Sequence, residues 1–190
     1  MSFKVVVLAS GAGSLFKALL ENADIYEVVA LITDTPEAEA LKIAEAYGAR
    51  TYIVELEDFE SRELWNHSLA EVLTSLEPDL VVSAGFMKII GEPVISLFKN
   101  RIINTHPALL PLYPGSHAVR DALKAHASTT GATVHYIDAG MDTGEIIAQR
   151  EVAVMPGDSV ETLHERIKEV ERVLLVDIIR QFAREKASNL

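Results

Sequence analysis

Three side chains raise the question of chemistry first: Asn104 and His106, two apart in INTHPALLP, and Asp142 in DAGMDTGE. An amide donates to a developing oxyanion, and an imidazole carries a proton near neutral pH. A carboxylate orients and charge-tunes an imidazole. With no nucleophile among them, the set suits proton management and oxyanion stabilisation at a carbonyl carbon. Pro107 pushes His106 out of the helical region, and Pro111 does the same to Leu110. The spacing therefore predicts a stiff loop that presents an amide and an imidazole at the end of the strand RII. Gly140 and Gly144 let the chain bend sharply around Asp142. Each residue also has a plain explanation, since a single histidine is most often surface or core and Asp138 and Asp142 both suit turns. Convergence on one sheet edge lifts His106 and Asp142 above that background.

Other chemistries find less support. Ser14, Ser83 and Ser116 lack a nucleophile-elbow setting, and the chain has no cysteine. His67, His106, His117, His126, His135 and His164 are scattered, with no i,i+4 pair and no HExxH, so no metal site is expected.

The elements that must position these groups follow from the apolar runs. Lys4–Ala9, Glu27–Thr33, Asp79–Ala84 and Arg101–Asn104 are continuous rather than alternating, as strands buried on both faces are. Helical patterns lie between them, one opening near Thr35-Pro36-Glu37 and another spanning Asp58–Leu76. Further on, the pattern predicts a helix near Ala118–Ala125, strands at Ala132–Ile137 and Glu145–Val154, and a long terminal helix. Asp158-Ser159-Val160-Glu161 opens that helix with capping-box spacing. The order defines an α/β class: a single-domain (1–190), open, mostly parallel twisted sheet, Rossmann-like, with an antiparallel C-terminal part. Ligands of such sheets collect at the carboxyl ends of the strands, where Asn104 and His106, the loop Gly85-Phe86-Met87-Lys88 and the glycine loop all belong.

That glycine loop, Ser10-Gly11-Ala12-Gly13-Ser14-Leu15-Phe16, lacks the third glycine of a dinucleotide fingerprint and the lysine of a P-loop. Two readings remain. One is a phosphate held by free amides, Ser14 and the helix dipole, and the other is a tight turn that binds nothing. On the terminal helix Val160, Leu163, Ile167, Val170, Leu174 and Ile178 form an apolar stripe, bordered by His164, Lys168 and Glu171. A solvated border is the default, yet Glu171 lies close enough to the stripe to reach a pocket holding a sugar hydroxyl.

Composition narrows the partners. The 28 acidic and 17 basic residues give a formal charge of −11, which disfavours nucleic acid. An anionic small ligand must then be held by a local patch or by backbone amides. Without cysteine there are no disulfides, and no apolar run spans a bilayer. The expectation is a cytoplasmic protein with no membrane association.

Taken in order, VVVLASGAGS, AGFMKII, INTHPALLPLYPG, TVHYIDAGMDTGEII and the Lys168/Glu171 pair resemble the phosphoribosylglycinamide formyltransferase family, folate-dependent enzymes of purine synthesis. The resemblance implies that Asn104, His106 and Asp142 are catalytic. It implies that Gly11, Ala12, Gly13, Ser14 and Leu15 hold the phosphate of glycinamide ribonucleotide, with Lys168 and Glu171 near the same substrate. Arg62, Met87, Lys88, Ile89 and Ile90, with Asp138, Gly140 and Met141, would meet the folate, and Phe86, His117, Thr133 and His135 would wall or back the site. The co-substrate implied is 10-formyltetrahydrofolate, without a metal, in a monomer or homodimer. Ala12 and Leu15 stand where relatives often have Asn, which leaves the phosphate to main-chain amides. A formyltetrahydrofolate deformylase, or a non-enzymatic nucleotide-binding module, is the alternative reading.

Overall fold

The computed structural model describes residues 2–189. The chain divides into two compact units, one running to Ile103 and taking in the C-terminal stretch from Ile179, the other formed by Asn104–Ile178.

The first unit is built on β1 (Phe3–Leu8), which pairs in parallel with β2 (Tyr26–Thr33) and β4 (Leu80–Ser83). Val5 to Leu8 are fully buried, as a continuous apolar run with both faces covered requires. Leu8 lies opposite both Ile32 and Ser83, so the segments after β1, β2 and β4 leave the sheet at one edge. Helix α1 (Ser14–Glu21) follows β1, and α3 (Arg62–Leu76) precedes β4. The α3 N-cap is Ser61, whose hydroxyl accepts the Leu64 N–H at 3.2 Å. Trp65 on α3 is fully buried, and its indole donates to the Val54 carbonyl at 2.8 Å. A four-residue helix, α4, covers Val94–Leu97.

Three expectations shift here. The helix expected near Thr35 is α2 (Ala40–Tyr47); Pro36–Glu37 form a turn, with the Thr35 hydroxyl bonded to the Glu37 carboxylate. Local side-chain bonds of this kind compete with helix formation. A short parallel strand, β3 (Arg50–Ile53), pairs with β2 although its polar, largely exposed residues carry no apolar run. The helix expected from Asp58 begins at Arg62, behind a 3-10 turn at Leu56–Asp58.

Strand β5 (Ile102–His106) carries the chain into the second unit. There α5 (Ala118–Lys124) precedes β6 (Thr129–Tyr136) and β7 (Ile146–Ala153), an antiparallel pair in which Thr133 faces Gln149. Helix α6 (Val160–Ser188) follows. Leu163, Ile167, Leu174 and Ile178 of its stripe are buried, while Val160 is exposed. Its capping box sits one residue later than expected, between Ser159 and Thr162: the Ser159 hydroxyl accepts the Thr162 N–H at 3.2 Å and the Thr162 hydroxyl accepts the Ser159 N–H at 2.9 Å. Asp158 instead receives the Arg166 guanidinium at 2.8 and 2.9 Å. The strand order is β3-β2-β1-β4-β5-β6-β7, so the expected α/β class, parallel majority, antiparallel end and long terminal helix are all present. Among the described residues no helix is long and apolar enough to cross a membrane.

Candidate active site

Asn104 and His106 lie inside β5 and not in a loop beyond it. Alternation along a strand puts residues two apart on one face, so the strand itself aligns the amide with the imidazole. His106 is 4% exposed. Asp142 comes to them from the β6–β7 connection, with a backbone φ of 55° that an Asp tolerates better than most residues. The Asp138 carboxylate shapes that connection by accepting the Gly140 N–H at 3.0 Å and the Thr143 hydroxyl at 2.8 Å. Gly144 is obligatory there, because any Cβ would collide with the Tyr136 carbonyl.

Asp142 is the hub. Its Oδ2 accepts the Gly115 N–H at 2.7 Å and lies 3.4 Å from His106 Nδ1, while its Oδ1 lies 3.6 Å from His135 Nε2. The neighbouring His135 ring, then the Gly115 N–H and the His106 imidazole, outweigh burial and hold the carboxyl down to about 2. His106 Nε2 donates to the Tyr113 carbonyl at 2.8 Å. Both nitrogens of that ring thus face acceptors, the arrangement a doubly protonated imidazolium satisfies. His135 donates Nδ1–H to its neighbour's carbonyl, Tyr136 O, at 2.8 Å, and its Nε2 lies 3.3 Å from the Asn104 amide nitrogen. That Nε2 is shared between the Asn104 amide and the Asp142 carboxylate, and an amide with two hydrogens keeps one for a further acceptor.

Other expected residues of the second unit are placed as follows. Thr133 is fully buried and its hydroxyl donates to the Ala108 carbonyl at 2.6 Å. His117 is exposed at the N-cap of α5, and among the described residues no hydrogen bond or ion pair joins its side chain to Asn104, His106 or Asp142. Met141 is exposed. Lys168 and Glu171 lie three apart on α6; Lys168 pairs with Glu165 at 2.8 Å. Glu171 is 5% exposed, and burial pushes its carboxyl up to about 7 against the pull of Lys168 and Arg172.

In the first unit, Gly13 caps α1 in the left-handed region at φ 70°, and the N–H groups of the first turn have no acceptor within the helix. A Cβ at Gly13 would come within 2.7 Å of the Ala40 Cβ, so this glycine answers to packing as well as to any ligand. Gly11 and Ala12 are exposed, whereas Leu15 is buried and turned to the core. The segment Phe86–Ile90 is pinned from several sides. Ser10 Oγ accepts the Met87 N–H at 2.8 Å, Arg62 donates to the Ile89 carbonyl at 3.2 Å, and Asn66 Oδ1 accepts the Gly91 N–H at 2.8 Å. Phe86 stacks on Trp65 with centroids 6.2 Å apart, and Lys88 lies 3.8 Å from the buried Asp34 carboxylate. Met87 and Ile89 are left 74% and 67% exposed on this anchored loop, and Ile90 is buried. Asn66, Tyr113 and Gly115 escaped sequence reasoning, as did the bond by which Ser10 holds Met87. All act through or upon main-chain atoms, which leave no residue-type signal; the Pro114-Gly115 dipeptide is a turn signal that could have pointed to Gly115. Among the described residues no group of three or more His, Cys, Asp or Glu could hold a metal ion.

An amide, an imidazole and a carboxylate brought together in this way can donate to an oxyanion and move a proton at a carbonyl carbon. In keeping with that, residues 3–179 match the sequence model described as formyl transferase, and the chain belongs to the formyl transferase family. It is 48% identical over 182 residues to phosphoribosylglycinamide formyltransferase from Mycobacterium tuberculosis (strain CDC 1551 / Oshkosh), a match covering 95% of this chain and 85% of that protein. It is 37% identical over 183 residues to the enzyme of the same name from Bacillus subtilis (strain 168), covering 94% and 93%. Among solved structures, glycinamide ribonucleotide transformylase 1 from Symbiobacterium toebii matches with a TM-score of 0.94 at 36% identity, over 97% of this chain and 89% of that one.

Proposed function

We propose that this formyltransferase moves the formyl group of 10-formyltetrahydrofolate to the amine of glycinamide ribonucleotide, a step of purine biosynthesis, without a metal. The observation that carries the reading is the Asp142–His106 pair beside the Asn104 amide on one strand face. The substrate amine nitrogen attacks the formyl carbon, whose oxygen becomes an oxyanion. Asn104 donates its free amide hydrogen there, and protonated His106 supports the same charge. The oxyanion competes with the Tyr113 carbonyl for the Nε2 proton. Asp142, ionised at any physiological pH, stabilises the imidazolium and assists transfer of a proton from the attacking amine to N10 of the folate. The C–N10 bond then breaks and the formyl amide remains on the ribonucleotide. Holding two reactants together can supply about 7–11 kcal/mol of the acceleration.

In this reading the main chain of Gly11–Leu15 binds the ribonucleotide phosphate, and Lys168 and Glu171 address the same substrate. Arg62, Met87–Ile90, Asp138, Gly140 and Met141 meet the folate, with Phe86, His117, Thr133 and His135 as walls or supports. Residues 1–190 act as one catalytic domain, a cytoplasmic monomer or homodimer with no nucleic-acid partner. The names of the relatives, and a first turn of α1 that no side chain caps beside the exposed Gly11 and Ala12, support the assignment. The test is formyl transfer measured with the ribonucleotide present and absent. Folate deformylation that needs no ribonucleotide would refute transfer and indicate hydrolysis, and ligand binding with no chemistry would indicate a binding module.

A further inference from the structure

We infer that Gln149 is a positioning residue for His106, acting through the proline-bounded segment that follows it; the inference rests on the transfer reaction proposed above. Gln149 faces Thr133 across the β6–β7 pair, so the two side chains share one face of the sheet. Its Nε2 donates to the Leu110 carbonyl at 2.8 Å and to the Thr133 hydroxyl at 2.9 Å, using both amide hydrogens. The Thr133 hydroxyl donates to the Ala108 carbonyl at 2.6 Å and accepts the Leu110 N–H at 3.1 Å. One donor hydrogen and two lone pairs are all a hydroxyl has, so Thr133 is saturated.

The segment held in this way lies between His106 and Tyr113, the residue whose carbonyl takes the His106 Nε2–H. Pro107 and Pro111 offer no N–H to any ladder, so the two side chains anchor main chain that a strand partner cannot. Gln149 itself is largely exposed on β7, the strand at the end of the order, and its replacement removes little packing. Its loss would free the Leu110 carbonyl and one Thr133 lone pair, and the segment presenting the Tyr113 carbonyl would lose an anchor. A small displacement of a positioned group costs far more in rate than in stability.

The test compares Gln149→Leu and Gln149→Glu with the parent protein in the full chain, by thermal melting, formyl-transfer kinetics and ¹H–¹⁵N NMR of labelled histidines. Gln149→Glu keeps the shape but has no donor hydrogens at neutral pH, and should behave as Gln149→Leu does. For both, kcat should fall roughly ten- to a hundredfold, with each KM within about twofold and melting little changed. The His106 Nε2–H signal should broaden or vanish while the His135 Nδ1–H signal, fixed by the Tyr136 carbonyl, persists. A Gln149→Glu variant with parental kcat, or one with lowered kcat and an unchanged His106 signal, overturns the inference. If Gln149→Leu does not fold, the isosteric Glu variant decides. A parent protein that transfers no formyl group refutes the reaction instead, and the histidine spectra still report whether Gln149 holds the segment.

Discussion

The Asp142 cluster and the glycine loop handle charge in opposite ways. Around Asp142, side chains make the electrostatics: two imidazoles and one main-chain N–H surround a single carboxylate, and the pairs lie at 3.4 and 3.6 Å with both rings buried. At the glycine loop no side chain caps α1, and the positive end there is that of main-chain amides and a helix dipole. Clusters of the first kind lose function when one atom changes. Loops of the second kind tolerate most side-chain changes until one adds bulk or the wrong charge.

The largest effect should follow from breaking the cluster. Asp142→Asn keeps shape and removes charge, so turnover should drop by about 10²–10⁴ with ribonucleotide binding retained, the loss typical of a positioned acid–base group. Parental turnover in steady-state kinetics would remove Asp142 from the mechanism. The same variant tests the electrostatics. Asp142 falls from an ordinary 3.8 to about 2 on folding, so its contribution is fully present above 3.8 and is lost as pH drops through 2. At neutral pH this amounts to about 2 kcal/mol. Urea unfolding should show the gap between parent and variant closing from pH 5 towards pH 2.

Glu171 reverses that sign. Burial raises its carboxyl from 4.5 to about 7, so the folded state resists its ionisation and stability declines as pH rises between those values. Glu171→Gln should therefore match the parent at pH 4 and exceed it at pH 8 by up to about 3 kcal/mol. A variant equally stable or weaker at pH 8 in urea titrations would show the carboxylate to be compensated.

A smaller change is expected at the glycine loop. Ala12→Asp puts a carboxylate on an exposed position and should raise the ribonucleotide KM about tenfold, the scale of one charge at a helix N-terminus, while leaving the folate KM alone. An unchanged ribonucleotide KM would move the phosphate elsewhere. Gly13→Val is a poor probe of the same idea, because the left-handed φ and Ala40 penalise it without any ligand. Leu15→Asn would bury an amide in the core. The mildest prediction concerns Ser10, which takes the Met87 N–H at 2.8 Å. Ser10→Ala should raise the folate KM by a few-fold, about 1 kcal/mol, and equal folate KM values would show the Met87 loop to be anchored without it.

Much of this was open to reading in one dimension. Val5–Leu8 and Leu80–Ser83 announce buried parallel strands because burial on two faces demands unbroken apolarity. Asn104, His106 and Asp142 are visible because few residue types carry donor, proton and charge, and their neighbours Pro107, Gly140 and Gly144 restrict the backbone around them. The same logic fails for Arg50–Ile53, whose strand exists because β2 offers a free edge and not because its side chains ask for burial. It fails for the start of α2 too, where Thr35 bonds locally and the first helical N–H goes to the Gly11 carbonyl at 3.0 Å.

By itself, then, the sequence determined which residue types could do chemistry, which runs had to be buried, and where glycine and proline restrict the chain. Tertiary structure decided that β5 continues through His106, so that strand alternation and not a loop aligns the amide with the imidazole. It also decided that His135 shares the Asp142 carboxylate, that Tyr113 and Gly115 supply main-chain partners, and that Glu171 is buried enough to resist ionisation. The physical reason is common to all of these. Hydrogen bonds to main-chain atoms and desolvation depend on which distant segments meet, and every residue carries the same N–H and C=O except proline. Such partners have no signature until the fold brings them within 3 Å or so of each other.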